Sequence, residues 1–569
     1  MSTPTAPPPP PAPGPPPQGP GESLGERLRD RLAQQTGRPV AMVETHISWV
    51  LLTGEFAYKI KKPVDLGFVD FSTPELRAHF CDEELRLNRR LAPDLYLDVV
   101  AIRGSPAAPT LEGTGPVLDH AVRMREFPQD ALLPRVLERG ALTAALVDDL
   151  AAEVAAFHRR VDAAPADGAY GVPADILHYA VQNFTQVRRL DDFPGDAHAL
   201  SGLESWTSAA YAALRPVLAG RRRSGFIREC HGDLHLGNIA LVGNRLTIFD
   251  CLEFNPELRW IDTMSEAAFL AMDLADRGHP DLSHRFVSAY VEATGDYDGV
   301  AVLRFYLVSR AMVRAKVACL RALPLGAGTP RAALLDECQG YVDLARHYAA
   351  PSRGAVVITH GLAGSGKSTL SQALVEALGA IRIRADVERK RLHGLAANDR
   401  SGSAIGADLY DAGATERTYA RVAEAAGQVA QTRHVAIADA AFLRRAHRDR
   451  FRSLAATLGV PFVIVDCTAD ESTLRARIDA RARRGNDPSE ADAAVLDYQL
   501  RTQEPLAADE MPFVLRYENG SSADDGPDPA WWSALAARLD VAVEHDRSLS
   551  PASSPRWAGG TRGDSGDGK

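Results

Sequence analysis

The rhythm of apolar and polar residues changes along this chain of 569 residues. In HISWVLLTGEFAYKIKKPVDLGFVDF, β-branched and aromatic residues crowd two short runs separated by Thr53-Gly54, which predicts two strands and a turn. PELRAHFCDEELRLNRRLA then predicts a helix, and APDLYLDVVAI and DHAVRMREF predict further strands. A long helical stretch follows over about 130–222. Beyond it, IALV and RLTIF form two apolar strands joined by Gly243-Asn244, a pair suited to a tight hairpin turn. More helices are expected over about 262–349. From 354 onward strands and helices alternate to about 541, the signature of a parallel α/β sheet.

Such a length exceeds one compact core, so two domains are expected, at 23–349 and 354–541, with the seam near HYAAPSRG. Residues 1–22 are dominated by proline and read as a disordered, extended tail. Residues 542–569, polar and rich in Gly, Ser and Pro, read as a second disordered tail. No internal repeat is visible.

Composition narrows the class further. A formal charge of −10 argues against nucleic acid as a general partner. Six scattered cysteines, with no CxxC pair, suggest neither a zinc ribbon nor a disulfide framework, which fits a reducing cytoplasm. No run is long enough to span a bilayer, and the N-terminus lacks the charged and apolar regions of a secretory signal.

The candidate chemistry begins at HGDLHLGNIALVGNRLTIFD, residues 231–250. A two-residue turn at Gly243-Asn244 places Asn238 opposite Phe249, with Asp250 one residue beyond. One carboxylate and one amide oxygen at the open end of a hairpin supply the hard ligands that Mg²⁺ takes beside substrate phosphates. Asp233 stands five positions before Asn238, the spacing of a kinase catalytic loop, where it would orient an acceptor hydroxyl.

HGDLHLGN resembles the Brenner motif of the aminoglycoside phosphotransferase family, a branch of the bilobal protein-kinase-like fold, and FDCLEF resembles its metal-binding aspartate segment. The resemblance, extending over 23 to about 349, implies Asp233 as the catalytic aspartate and Asn238 and Asp250 as metal ligands. It implies that Lys59 grips the ATP phosphates with Glu84 as its helix partner; Lys61, Lys62 and Glu83 are rivals for those roles. One departure is that TGEFAYK lacks the G-x-G-x-x-G of protein kinases. The acceptor is not implied, nor is antibiotic resistance.

A second constellation, GLAGSGKST at 361–369, matches G-x-x-x-x-G-K-[ST] between an apolar strand and a helix. Gly361, Gly364 and Gly366 let the backbone curl so that its amides, with those of Ser365 and Thr369, face phosphate oxygens. Lys367 would reach the β- and γ-phosphates and Ser368 the magnesium. Asp386, after the next strand, resembles the acceptor-binding aspartate of small P-loop kinases such as the gluconate, polynucleotide and chloramphenicol kinases. Asp439 ends HVAIAD as a Walker B candidate for magnesium. Arg477, Arg481 and Arg484 share one helix face ahead of a Gly485-Asn486 break, a stripe that looks like the lid of such kinases. The spacing from the P-loop onward leaves no room for the extra helical domain of AAA motors.

The fold expected is therefore mixed α/β and α+β: a protein-kinase-like domain followed by a P-loop domain with a parallel sheet. The function expected is transfer of the ATP γ-phosphate, with Mg²⁺, to small hydroxylated acceptors at two sites. Two other readings remain: a non-catalytic nucleotide sensor in the first domain, and a polynucleotide 5′-hydroxyl kinase in the second. Oligomeric state is not legible.

Overall fold

The computed structural model describes residues 23–540, apart from 68, 112, 191–192, 194, 398, 400–410, 485–490 and 520–525. Both tails and the Gly485-Asn486 break expected from the sequence lie outside the described residues. The strands are β1 (Ala41–Glu44), β2 (Ser48–Leu52), β3 (Phe56–Lys61), β4 (Tyr96–Ser105), β5 (Ala108–Thr110), β6 (Val117–Arg125) and β7 (Ile227–Glu229). They continue with β8 (Ile239–Val242), β9 (Arg245–Ile248), β10 (Trp260–Asp262), β11 (Ala355–His360), β12 (Ile381–Arg384), β13 (Val435–Asp439), β14 (Phe462–Thr468) and β15 (Val514–Glu518). Contacts gather the chain into two units. One comprises Met1–Leu146, Ala156–Gly171 and Arg222–Glu266; the other comprises Val147–Ala155, Val172–Arg221 and Ala267–Lys569.

The first unit is built on a six-stranded antiparallel sheet in the order β1-β2-β3-β6-β4-β5. Strand alternation decides which side chains face which helix. Ile60 on β3 packs with Trp49 and Leu51 against Leu28 and Leu32 of the helix Leu24–Thr36. That helix is opened by Ser23 and Glu26 in a capping box, a local signal that an apolar-pattern reading passes over. On the opposite face Ala57 joins Cys81, Tyr96, Val122 and Met124 under the helix Pro74–Asn88. Lys59 and Lys61 share the parity of Ala57 and so project toward that helix. Arg77, Cys81, Glu84 and Asn88 lie along its buried stripe.

Below the sheet in sequence, β8 and β9 pair with Ala240 opposite Thr247 and Val242 opposite Arg245. The loop is Gly243-Asn244, both at positive φ, as a primed hairpin turn requires. The register places Asn238 against Phe249, whose amide donates to the Asn238 carbonyl at 2.9 Å. A short ribbon, β7 with β10, precedes and follows the loop that carries His231 and Asp233.

The second unit holds a five-stranded parallel sheet in the order β12-β13-β11-β14-β15. Strands β11 and β13 are buried at every position, as expected where helices cover both faces. Val357, Ile437 and Val465 pack there with Leu370, Leu374 and Trp532. The edge strand β12 is closed by the helix Pro280–Thr294, where the Ser288 hydroxyl accepts the Arg382 amide at 3.1 Å. The expected fold class is what the structure shows: kinase-like elements in the N-terminal part, and a P-loop sheet in the C-terminal part. Among the described residues no helix is long and apolar enough to cross a membrane.

Candidate functional site

In the first unit the strand lysines and the helix glutamate meet. Lys59 Nζ lies 2.8 Å from Glu84 Oε1 and 2.5 Å from Asp250 Oδ1. Lys61 Nζ lies 2.8 Å from Glu84 Oε2 and also pairs with Glu253. Both lysines therefore share one carboxylate, which the sequence alone could not decide. Glu83 instead pairs with Arg86 and Arg259, and Lys62 turns outward to Glu44. Burial penalises every charge in this cluster, but the opposite charges outweigh it: Lys59 and Lys61 are held above the usual lysine range and Glu84 below the usual carboxylate range. Glu253, where burial prevails, is raised.

Asp250 adopts φ +65, a left-handed conformation that is strained for a residue with a Cβ. Its amide donates to the Tyr96 hydroxyl at 3.2 Å, and the next amide, Cys251, donates to Asn88 Oδ1 at 2.8 Å. Asn88, unmarked by any motif, thus fixes the backbone that aims Asp250. Asn238 Nδ2 donates to the Asp233 carbonyl at 2.9 Å and to Asp233 Oδ2 at 3.2 Å. With its side-chain nitrogen engaged, Oδ1 of Asn238 is the atom left for a cation. Asn238 and Asp250 fit the hard-oxygen donor set that Mg²⁺ takes.

The loop bearing Asp233 is set by groups the sequence reading missed. Glu266, 1% exposed, accepts the amides of Gly232 at 2.7 Å and His231 at 3.1 Å, and His158 Nε2 lies 2.8 Å from it. Burial opposes its charge, but the His158 hydrogen bond, the nearby imidazoles and the loop amide hold it at about 2. His231 Nε2 meets the Phe249 carbonyl at 2.8 Å, while its Nδ1 accepts the Asp233 amide at 3.2 Å. A single histidine thereby ties the loop to the hairpin. Gly232 has φ +89, and a Cβ there would press on Arg259, Leu252 and the Leu258 carbonyl at 3.1 Å.

In the second unit the loop after β11 curls as its glycines predict, with Gly361, Gly364 and Gly366 at φ +140, +82 and +88. A Cβ on Gly364 would meet the Leu474 carbonyl at 2.6 Å, and one on Gly366 would collide with Asn519. The helix Lys367–Leu378 starts directly from this loop. Lys367 Nζ donates to the Leu362 carbonyl at 2.8 Å, and burial lowers its pKa. Among the described residues the buried Ser365 hydroxyl has no hydrogen-bond partner. Asp439 accepts the Ser371 hydroxyl at 2.9 Å.

A cavity of about 710 Å³ opens over this loop and brings together Lys367, Ser368, Asp386, Asp439, Arg477 and Arg481. Asp386 lies in the first turn of the helix Ala385–Leu392, where Arg389 Nη1 reaches its Oδ1 at 2.6 Å. Arg477 contacts Asn519 Oδ1 at 3.1 Å and Arg481 the Ala491 carbonyl at 2.6 Å. Arg484 closes the same helix, Glu471–Arg484; its side chain lies outside the described residues. Two further residues tie down the loop: Gln499 accepts the Ala363 amide at 2.8 Å, and Asn519 Nδ2 donates to the Ser365 carbonyl at 3.1 Å.

These features define a chain in which a loop with the His-Asp-Asn spacing of the kinase-like fold precedes a P-loop domain. Residues 356–506 match the AAA domain family model. The chain is 30% identical over 453 residues to uncharacterized protein Rv2004c of Mycobacterium tuberculosis, covering 80% of this chain and 88% of the relative, and equally to Mb2027c of Mycobacterium bovis. It belongs to the family of these mycobacterial proteins. Among solved structures, a choline/ethanolamine kinase family protein from Mesorhizobium loti aligns at 12% identity over 57% of this chain and 99% of its own, with a TM-score of 0.36. The Mycobacterium tuberculosis APS kinase aligns at 22% identity over 32% of this chain and 97% of its own, with a TM-score of 0.23.

Proposed function

We propose that the protein is an ATP-dependent phosphotransferase with two nucleotide sites, each passing the γ-phosphate to the hydroxyl of a small acceptor. The observation that carries this reading is that each unit separately gathers a lysine, oxygen-bearing side chains suited to a cation and a further aspartate, to which we assign phosphate binding, magnesium binding and the acceptor. In the first unit these are Lys59, Asn238 with Asp250, and Asp233. In the second they are Lys367, Ser368 with Asp439, and Asp386.

In either site the acceptor oxygen attacks the γ-phosphorus, the bond to the β-phosphate oxygen breaks, and ADP leaves. Asp233 or Asp386 orients the hydroxyl and takes its proton as the new P–O bond forms. Magnesium, where bound, neutralises phosphate charge. Arg477 and Arg481 are placed to hold the transferring group in the second site.

One observation favours a sensor role for the first unit: Lys59 and Asp250 already pair with each other at 2.5 Å. Full-length Lys367→Ala, which silences the P-loop, discriminates the readings. ADP formation from a metabolite pool that survives Lys367→Ala and disappears with added Asp233→Ala supports a catalytic first unit. Calorimetry giving fewer than two bound ATP analogues per chain at saturating magnesium refutes the two-site proposal.

A further inference from the structure

The cavity of the second unit has two walls of different chemistry. Around the P-loop, Lys367, Arg477 and Arg481 supply donors suited to a triphosphate. The other wall is built from Arg384 and Asp386 at the end of β12, Arg389 one turn on, and Arg444 and His447 at the start of the helix Arg445–Leu458.

The charges on this second wall can be paired off. Asp386 is matched by Arg389 at 2.6 Å. Arg384 is matched by Glu292, which accepts its Nε at 2.7 Å. His447 Nε2 meets Glu416 Oε1 at 2.6 Å, and its ring stacks on Tyr419 at 3.8 Å. Glu504 accepts the Arg445 amide at 2.6 Å and so caps the helix start. Among the described residues no carboxylate pairs with the Arg444 guanidinium, which lines the cavity from an exposed position. Asp386 keeps one carboxylate oxygen beyond its contact with Arg389. The wall therefore offers one carboxylate for a hydroxyl and one surplus guanidinium for an anion.

Resting on the P-loop reading above, we propose that the acceptor of this site carries an anionic oxyacid group, carboxylate or phosphate, beside the hydroxyl that is phosphorylated. Arg444 binds the anion, and Asp386 orients the hydroxyl. A neutral polyol would make no charge-assisted contact with the Arg444 guanidinium, whereas an oxyacid anion gains one.

The test uses the full chain, saturated with a non-hydrolysable ATP analogue and magnesium, and calorimetric titration with hydroxylated probes of one carbon skeleton. These are an aldonate, a sugar phosphate and the neutral alditol, and only heat absent from Lys367→Ala is counted. One acid binds at least about tenfold tighter than the alditol, the worth of one charge-assisted contact. Which acid does so separates carboxylate from phosphate. Arg444→Ala erases the preference and Arg444→Lys keeps most of it. An alditol that binds as tightly as both acids, a preference that persists in Arg444→Ala, or binding by none of the probes overturns the inference. If the analogue itself shows no binding sensitive to Lys367→Ala, the P-loop reading falls, and the inference with it.

Discussion

Replacing Glu266 by glutamine tests how the loop that carries Asp233 in the first unit is held. The carboxylate accepts two loop amides and faces His158, at 2.7 to 3.1 Å, from a position 1% exposed. Glutamine keeps the shape but turns one acceptor into a donor, so a buried amide loses its partner. Stranding that group costs ~1–3 kcal/mol. The ionisation gives a second measure: a carboxyl at about 2 in the native state, against roughly 4.3 in an unfolded chain, contributes ~3 kcal/mol. A depressed carboxyl stabilises above its unfolded pKa, and that contribution is lost as pH falls from roughly 4.3 through the folded value. Hydrogen exchange of peptides spanning 227–235 is the assay of choice, because a chain of two units need not unfold in one step. Glu266→Gln should speed exchange at pH 7 by about a hundredfold, as ~3 kcal/mol implies, and the gap should narrow at pH 3. An unchanged exchange rate, or a gap that does not depend on pH, would refute this account of the loop.

Other outcomes follow from the same geometry. Lys61→Met strands Glu253 and half of Glu84 and should destabilise the first unit by ~3–5 kcal/mol; adding Glu253→Gln should recover much of that, read as the coupling in a double-mutant cycle. Gly366→Ala, at φ +88 with Asn519 in the way, should abolish Lys367-dependent binding of an ATP analogue, and calorimetry that finds normal affinity would contradict the cradle. Asp276 is raised to about 6 by burial and by Asp273. The stabilisation from its raised pKa is full below the unfolded value and lost as pH rises through 6, so Asp276→Asn should stabilise the protein by roughly 3 kcal/mol at pH 8 and by little at pH 4 in thermal melts.

Some of this molecule was legible because its signals are local. A two-residue turn at Gly243-Asn244 fixes the hairpin register by counting, and that register alone sets Asn238 against Phe249. The glycines of 361–369 demand positive φ, and strand alternation puts Lys59 and Lys61 on one face. The alternation of strands with helices beyond 354 also announced the parallel sheet, because parallel neighbours need a crossover between them.

Tertiary structure decided what depends on partners distant in the chain. Lys59 and Lys61 are equivalent in sequence terms, and only packing of the helix Pro74–Asn88 shows that both take Glu84 while Asp250 and Glu253 divide the remaining contacts. Glu266, Asn88, Gln499 and Asn519 belong to no motif, since a side chain that accepts a backbone amide can come from any element that passes nearby. Glu292 likewise reaches Arg384 from a helix ninety-odd residues upstream. Local pattern fixes the order of φ and ψ along the backbone, whereas the burial of charge is settled by which surfaces meet.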